Sequence, residues 1–207
     1  MKQQRALRTR GALIRSAAET FERCGYVQAK LAEISSNAGV SVGALHFHFT
    51  NKAAVASTIE ASAAEALRRA ARAAQSPHMN ALQRLTSVSH ALAEELRGDV
   101  VARAGFHLSC HTRHRTGPDL RQEWYTCVQQ LLAEAEAEDL LADHVRPEAA
   151  TVSIVAATTG IEVLGDADPR WLSSAALTQF WRFILPCLAK PEVLGTVDPE
   201  FSSAPTA

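Results

Sequence analysis

The chain has 207 residues, 47% of them hydrophobic, and a net charge of −1, which suits one large or two small globular domains. No stretch approaches the roughly 18 uncharged apolar residues that span a bilayer, and Arg8, Arg10, Arg15 and Glu19 interrupt the N-terminus before any signal-peptide core. A soluble, cytoplasmic protein with no membrane partner is therefore expected. Residues 1–52 hold eight Lys or Arg against three acids, a net of +5, which leaves −6 for the remainder. A basic end on an acidic body points to a polyanionic partner for the first part alone. Cys24, Cys110, Cys127 and Cys187 are scattered, with no Cys-x-x-Cys pair, as expected of reduced thiols in a cytoplasm.

From Arg5 to Cys24 the apolar residues Leu13, Ile14, Ala17, Ala18 and Phe21 recur at three and four, which predicts a helix closed by Gly25. The stretch Leu31 to Phe49 reads as two short helices around a tight turn. Leu31, Ile34 and Ala38 share a face, Gly39 ends the first helix, Val40 plugs the corner, and Ser41 caps a second helix through Phe47. This is a helix-turn-helix, whose second helix enters a DNA major groove. Phe21, Leu31, Ile34, Val40, Leu45 and Phe49 form the expected core, and Phe47 is placed with them. Such a domain of about fifty residues is small for independence and is expected to lean on the helices after it.

A long helix begins near Lys52 and ends at Ser76-Pro77, with Val55, Ile59, Ala63 and Ala70 along its stripe. Another runs from about Met79 to Arg97. Asp99 then caps a helix through Leu108, and residues 112–118 read as a polar loop. Asp119 to Asp139 is helical, with Leu120, Trp124, Cys127 or Val128, Leu131 and Ala135 inward, and Pro147 opens the next helix. From Ala149 to Ile161 no side chain is charged, so no face of this helix is expected to meet water. Trp171 to Leu188, the last helix, has apolar residues on two sides. One protomer cannot easily bury both of those sides. Val152, Val155, Ala156, Thr159, Gly160, Val163, Leu172, Ala176, Phe180 and Phe183 are therefore expected to pair with their copies in a homodimer. The architecture expected is all-α, with residues 1–51 a three-helix DNA-binding domain. Residues 52–190 make a helical ligand-binding and dimerisation domain, and 191–207 a flexible tail.

At Arg5 to Phe49 the chain resembles the TetR family of bacterial transcriptional regulators. The resemblance rests on Phe21, Gly25, Tyr26, Ile34, Ala38, Gly39, Val40, Gly43, Leu45, Phe47, His48, Phe49 and Lys52. Within it, the Arg-Ala-Leu-Arg-Thr-Arg start, Gly-Ala-Leu-His-Phe-His-Phe, Val100 to Gly105 and the Glu123-Trp124 pair look like the γ-butyrolactone receptors of actinomycetes. Those receptors usually carry Lys and Tyr where this chain has Val42 and His46, a drift that also resembles the pseudo-receptors, which respond to antibiotics or their intermediates.

The resemblance implies a repressor that binds double-stranded operator DNA as a homodimer and is released by a small hydrophobic ligand. Arg5, Arg8, Lys30 and Lys52, with the amides that open the two short helices, are the expected phosphate anchors. Ser41, Val42, Gly43, His46 and His48 are the expected base readers. A ligand cavity would account for the large helical body. The resemblance places Trp124 over the ligand, and Leu85, Val88, Ser89, Phe106, His107, Val128, Ile154 and Thr158 are candidate walls. The alternative is a helical small-molecule-binding protein or enzyme whose basic end is incidental.

Two chemical motifs weigh little against this reading. Gly39-Val40-Ser41-Val42-Gly43 matches the Gly-x-Ser-x-Gly elbow of hydrolases, but that elbow needs a strand leading into the serine and here a helix leads in; no enzyme activity is expected. His107, Cys110, His111 and His114 share one helical face, yet four ligands from one face cannot easily surround a tetrahedral ion. No metal or cofactor is expected.

Overall fold

Helix α1 spans Lys2–Gln28 in the computed structural model of the chain, which describes residues 2–110 and 116–200. Leu13, Ala17, Ala18 and Phe21 are buried along one face, as their spacing requires. The helical path breaks at Gly25, where φ is +75°, a conformation that a residue without Cβ adopts at no steric cost. Helices α2 (Leu31–Asn37) and α3 (Val42–His48) follow. Between them Gly39, at φ +69°, turns the chain, and its amide returns to Ser36 O at 3.0 Å. Ser41 Oγ then accepts from Ala44 N at 3.1 Å and opens α3.

The longer helices begin at side chains that satisfy their first amides. Asn51 Oδ1 accepts from Ala54 N at 2.9 Å at the start of α4 (Lys52–Ala73). Asn80 Oδ1 accepts from Gln83 N at 2.8 Å for α5 (Ala81–Gly98), and Asp99 Oδ1 from Val101 N at 2.8 Å for α6 (Val100–Cys110). Helix α7 covers Leu120–Ala137, and α8 covers Pro147–Ala167 with its proline in the first turn. Trp171 and Leu172 do not begin the last helix as their spacing suggests. They lie in a 3-10 turn, Pro169–Leu172, capped by Asp168, and Ser173 then caps α9 (Ser174–Leu188). Among the described residues the extended structure amounts to one isolated bridge, Leu141 with Ala189. The fold is all-α.

Contacts divide the chain into two compact units, residues 1–66 with 98–120 and residues 67–97 with 121–207. This division runs through α4 rather than ahead of it. In the first unit Leu13, Phe21, Ile34, Leu45 and Phe49 share a core with Val55 and Ile59 of α4 and Ala104 and Leu108 of α6. The three N-terminal helices therefore complete their interior with residues from later in the chain, as so small a domain demands. Glu22 of α1 faces Arg103 Nε at 2.8 Å and His107 Nδ1 at 2.9 Å on α6. Burial raises the Glu22 carboxyl, but the hydrogen bonds and charge of His107 and Arg103 outweigh it and hold it below its ordinary value. Buried Glu60 of α4 accepts from Thr116 N at 3.0 Å and also bonds the Thr116 hydroxyl.

The second unit centres on Leu82 and Leu85 of α5, Val128 and Leu132 of α7, Ile154 of α8, and Trp181 and Leu185 of α9. Trp181 is fully buried and its indole N–H donates to Ser89 Oγ at 2.7 Å, which satisfies the one polar atom the ring carries inward. The stretch after α9 is not loose through residue 200, against expectation. Val193 and Val197 are buried, Asp198 N donates to Gln83 Oε1 at 2.6 Å, and His90 Nε2 lies 3.0 Å from Pro199 O. Apolar residues spaced four apart gave this segment an anchor that its Pro, Ser and Thr content concealed.

Helices approach very closely in the first unit at Gly105. A Cβ there would sit 2.4 Å from Ala63 Cβ and 2.6 Å from Ile59 O. Gly105→Ala is therefore expected to destabilise the protein by about 1–3 kcal/mol, read as a lower midpoint in thermal unfolding by circular dichroism. An unchanged midpoint would mean that α4 and α6 part without cost.

Candidate DNA-reading surface and ligand-binding body

The outward face of α3 carries Val42, Gly43, His46 and Phe47, all exposed. These four positions form two i, i+4 pairs, Val42 with His46 and Gly43 with Phe47, so they share one side of the helix. Leu45 and Phe49 are buried on the other side. Phe47 departs from the expected core placement and is 82% exposed. Only one aromatic of the alternating His-Phe-His-Phe run can follow Leu45 inward at helical spacing, and Phe49 takes that place. His48 is half-buried with its ring edge-to-face on Phe47 at 5.2 Å, so it holds an aromatic neighbour as well as lying near the surface. Ser41 directs its Oγ to the helix amide.

Arg5 and Arg8 of α1 and Lys30, just ahead of α2, are exposed. Lys52 is placed differently from the expected free anchor. Its Nζ donates to Tyr26 O at 2.7 Å, Val27 O at 2.9 Å and Ala29 O at 3.0 Å, and lies 4.7 Å from the centre of the Tyr26 ring. An ammonium has three donors, and all three are used. Lys52 therefore caps the broken end of α1, where orphan carbonyls and the helix dipole favour a cation. It is not a free phosphate anchor. The sequence distance of about 25 residues between the cation and its carbonyls hid this contact.

In the second unit Trp124 and Thr158 come together, with the indole N–H donating to Thr158 Oγ1 at 2.8 Å and that hydroxyl donating to Ile154 O at 2.8 Å. Leu85, Val88, Val128 and Ile154 are fully buried, and Ser89 Oγ accepts from the Trp181 indole. Phe106 is buried within the first unit and His107 there faces Glu22; of the histidine and cysteine face, His111 and His114 lie outside the described residues. Glu123, beside Trp124, forms a two-pronged pair with Arg68 near the end of α4, one prong being Arg68 Nε to Glu123 Oε2 at 3.0 Å. Cys127 faces the interior, and burial pushes its thiol up.

Helix α8 buries Thr151, Ile154, Glu162 and Gly165 but exposes Val152 (59%), Val163 (51%) and Leu164. By length and composition it is apolar enough to cross a membrane, with a mean hydropathy of 1.2. Its buried Glu162 is paired with Arg121 Nη2 at 2.6 Å, as befits a helix with one face in a protein core. Phe183 of α9 is 74% exposed and Trp171 is exposed as well. Ala156 is exposed, while Val155, Thr159, Gly160, Ala176 and Phe180 are half-buried. Leu172 is not on this face. It is buried, and a Cβ at Gly165 would meet its Cγ at 2.7 Å, because the 3-10 turn points it inward.

Residues 13–59 match the family described as bacterial regulatory proteins, tetR family. The chain is 32% identical over 203 residues to the A-factor receptor protein of Streptomyces griseus, a match covering 96% of this chain and 70% of that protein. The chain belongs to the TetR family. Among solved structures it is similar to a γ-butyrolactone receptor described as ArpA-like, at 26% identity and a TM-score of 0.78, covering 91% of this chain and 92% of that one. It is also similar to CprB of Streptomyces coelicolor in complex with its operator sequence, at 26% identity and a TM-score of 0.77, covering 92% and 93%. TetR-family regulators are ligand-responsive DNA-binding repressors, and α2, α3 and the start of α4 fall within the matched residues.

The cap assigned to Lys52 separates positioning from phosphate contact. Lys52→Met is expected to lower both the unfolding midpoint and the operator affinity. The slope of log affinity against log salt should stay unchanged, because no released counterion is lost. A slope reduced by about one charge would return Lys52 to the phosphates.

Proposed function

We propose that the chain is a homodimeric repressor that occupies a pseudo-palindromic operator in the cytoplasm. It leaves that operator when a small hydrophobic molecule enters the second unit. The ligand is a γ-butyrolactone-like signal, or an antibiotic or biosynthetic intermediate of similar size. The observation that carries this reading is the likeness to the A-factor receptor protein over 96% of the chain, which takes in the body as well as the helix-turn-helix. The Trp124–Thr158 pair supports it. The indole N–H is held by the Thr158 hydroxyl, which in turn donates to Ile154 O, so the pair fixes the ring in place and its broad apolar face suits the alkyl part of a ligand.

The dimer follows from α8 and α9. Val152, Val163 and Phe183 are exposed apolar side chains on two helices that are otherwise short of charge, and a second copy covers them with a self-complementary surface. Two α3 helices then meet major grooves about 34 Å apart or a multiple of it. A ligand that binds one dimer geometry better than the other shifts the pair off that spacing, by no more than its differential affinity allows. The Arg68–Glu123 pair links the helix that carries Trp124 to α4, the continuous helix whose first residue caps α1.

An electrophoretic shift with the DNA upstream of the protein's own gene tests the repressor reading, with release by added butyrolactones or antibiotics as the second step. Trp124→Ala is expected to keep the shift and abolish release; normal release would remove Trp124 from the ligand site. Gly160→Leu tests the dimer, because a Cβ there meets nothing within 4 Å in the protomer. A monomer mass by light scattering is expected, and a persisting dimer would move the interface elsewhere.

A further inference from the structure

The outward face of α3 carries apolar Val42 and Phe47 with Gly43 between them and the imidazole of His46 beside Val42 and Phe47, and it has no Lys or Arg. Val42 is 41% exposed and Phe47 82% exposed, with Gly43 one turn before Phe47 and adjacent to Val42. Gly43 is helical, and the one atom a Cβ there would approach is Ser41 Oγ, at 3.8 Å, an ordinary contact. An alanine would stabilise the helix relative to glycine, so the glycine leaves a notch for something outside the chain. Phe47 forgoes burial and rests edge-to-face on His48, which steadies its orientation. The exposed cations lie on other elements, at Arg5, Arg8 and Lys30. Attraction to phosphates and the reading of bases are therefore carried by different parts of the surface.

The occupant that fits an apolar notch in a segment that also carries exposed cations is the edge of a base pair in the major groove that presents a methyl group. Among the four bases only thymine does so, through its C5 methyl. We infer that Val42 and Phe47, on either side of Gly43, read thymine C5 methyls in each operator half-site. This assignment rests on the operator-binding reading above and specifies its chemistry. It places thymine, rather than guanine, opposite the first turn of α3, because a valine offers no donor to a guanine O6 or N7.

The test uses the full chain and duplexes that it selects from a randomised pool. The tightest duplex is titrated by fluorescence anisotropy with each thymine in turn replaced by deoxyuridine, which removes the methyl and keeps every hydrogen-bonding group. At one or two positions per half-site the replacement is expected to weaken binding about three- to fourfold, the effect of one buried methyl-sized group. Val42→Ser and Phe47→Ala, both at exposed positions, are expected to bind thymine and deoxyuridine duplexes equally at the position each contacts. If every deoxyuridine duplex binds as tightly as its parent, the methyl reading is wrong while operator binding stands. If the substitutions leave the discrimination intact, other residues read the methyls. If no duplex is selected at all, the operator reading fails and this inference with it.

Discussion

Three backbone carbonyls, two in the last turn of α1 and one just past it, converge on the single ammonium of Lys52, and the arrangement of the first unit depends on that contact. The break at Gly25 exposes carbonyls that no further turn of helix satisfies. A cation placed on them offsets both their lone pairs and the negative end of the helix dipole. Since Lys52 is also the first residue of α4, the same contact fixes where α4 starts relative to α1. The link from α3 to α4 is only Phe49, Thr50 and Asn51, so the recognition helix is held by both neighbours. Any displacement of the start of α4 must be felt by α3, because a packed core has discrete arrangements rather than a continuous range.

Helix α6 tightens this unit from another side. Gly105 admits α4 at a distance that any Cβ would forbid, and the Glu22 carboxylate joins α1 to α6 through Arg103 and His107. The domain that meets DNA is thus not a freestanding three-helix module. It borrows its last layer from residues 98–120, which lie beyond α5 in the chain. That borrowing gives the later chain a physical hold on the recognition helix, which an independent module on a flexible linker would lack.

Apolar surface is distributed in two ways along the chain. In the second unit Leu82, Leu132, Ile154 and Trp181 are withdrawn from water entirely, whereas Val152, Val163 and Phe183 stay exposed. The contrast falls within single helices: α8 puts Ile154 inside and Val152 outside. Scattered exposed apolar residues need no partner, but these stand on two helices with few charged side chains. The apolar part of α3 is a different case, because it is small, sits beside a glycine with open space, and belongs to the unit that holds the excess cations.

Much of this was legible in the primary structure. Periodicity set the helices, Gly25 and Gly39 marked the turns, and Asp99 and Pro147 marked helix starts, since these depend on local geometry and on groups a few residues apart. The helix-turn-helix, the all-α class and the surplus of apolar surface on α8 and α9 followed for the same reason. The tertiary structure alone decided the rest. It turned Lys52 from an exposed anchor into a cap, put Phe47 outside and Phe49 inside, moved Leu172 inward over Gly165, and pinned residues 193–200 onto α5. It also brought Trp124 to Thr158 across 34 residues. Each of these outcomes depends on which distant group reaches a side chain first, a competition between hydrogen bonding, burial and steric fit that spacing along the chain does not encode.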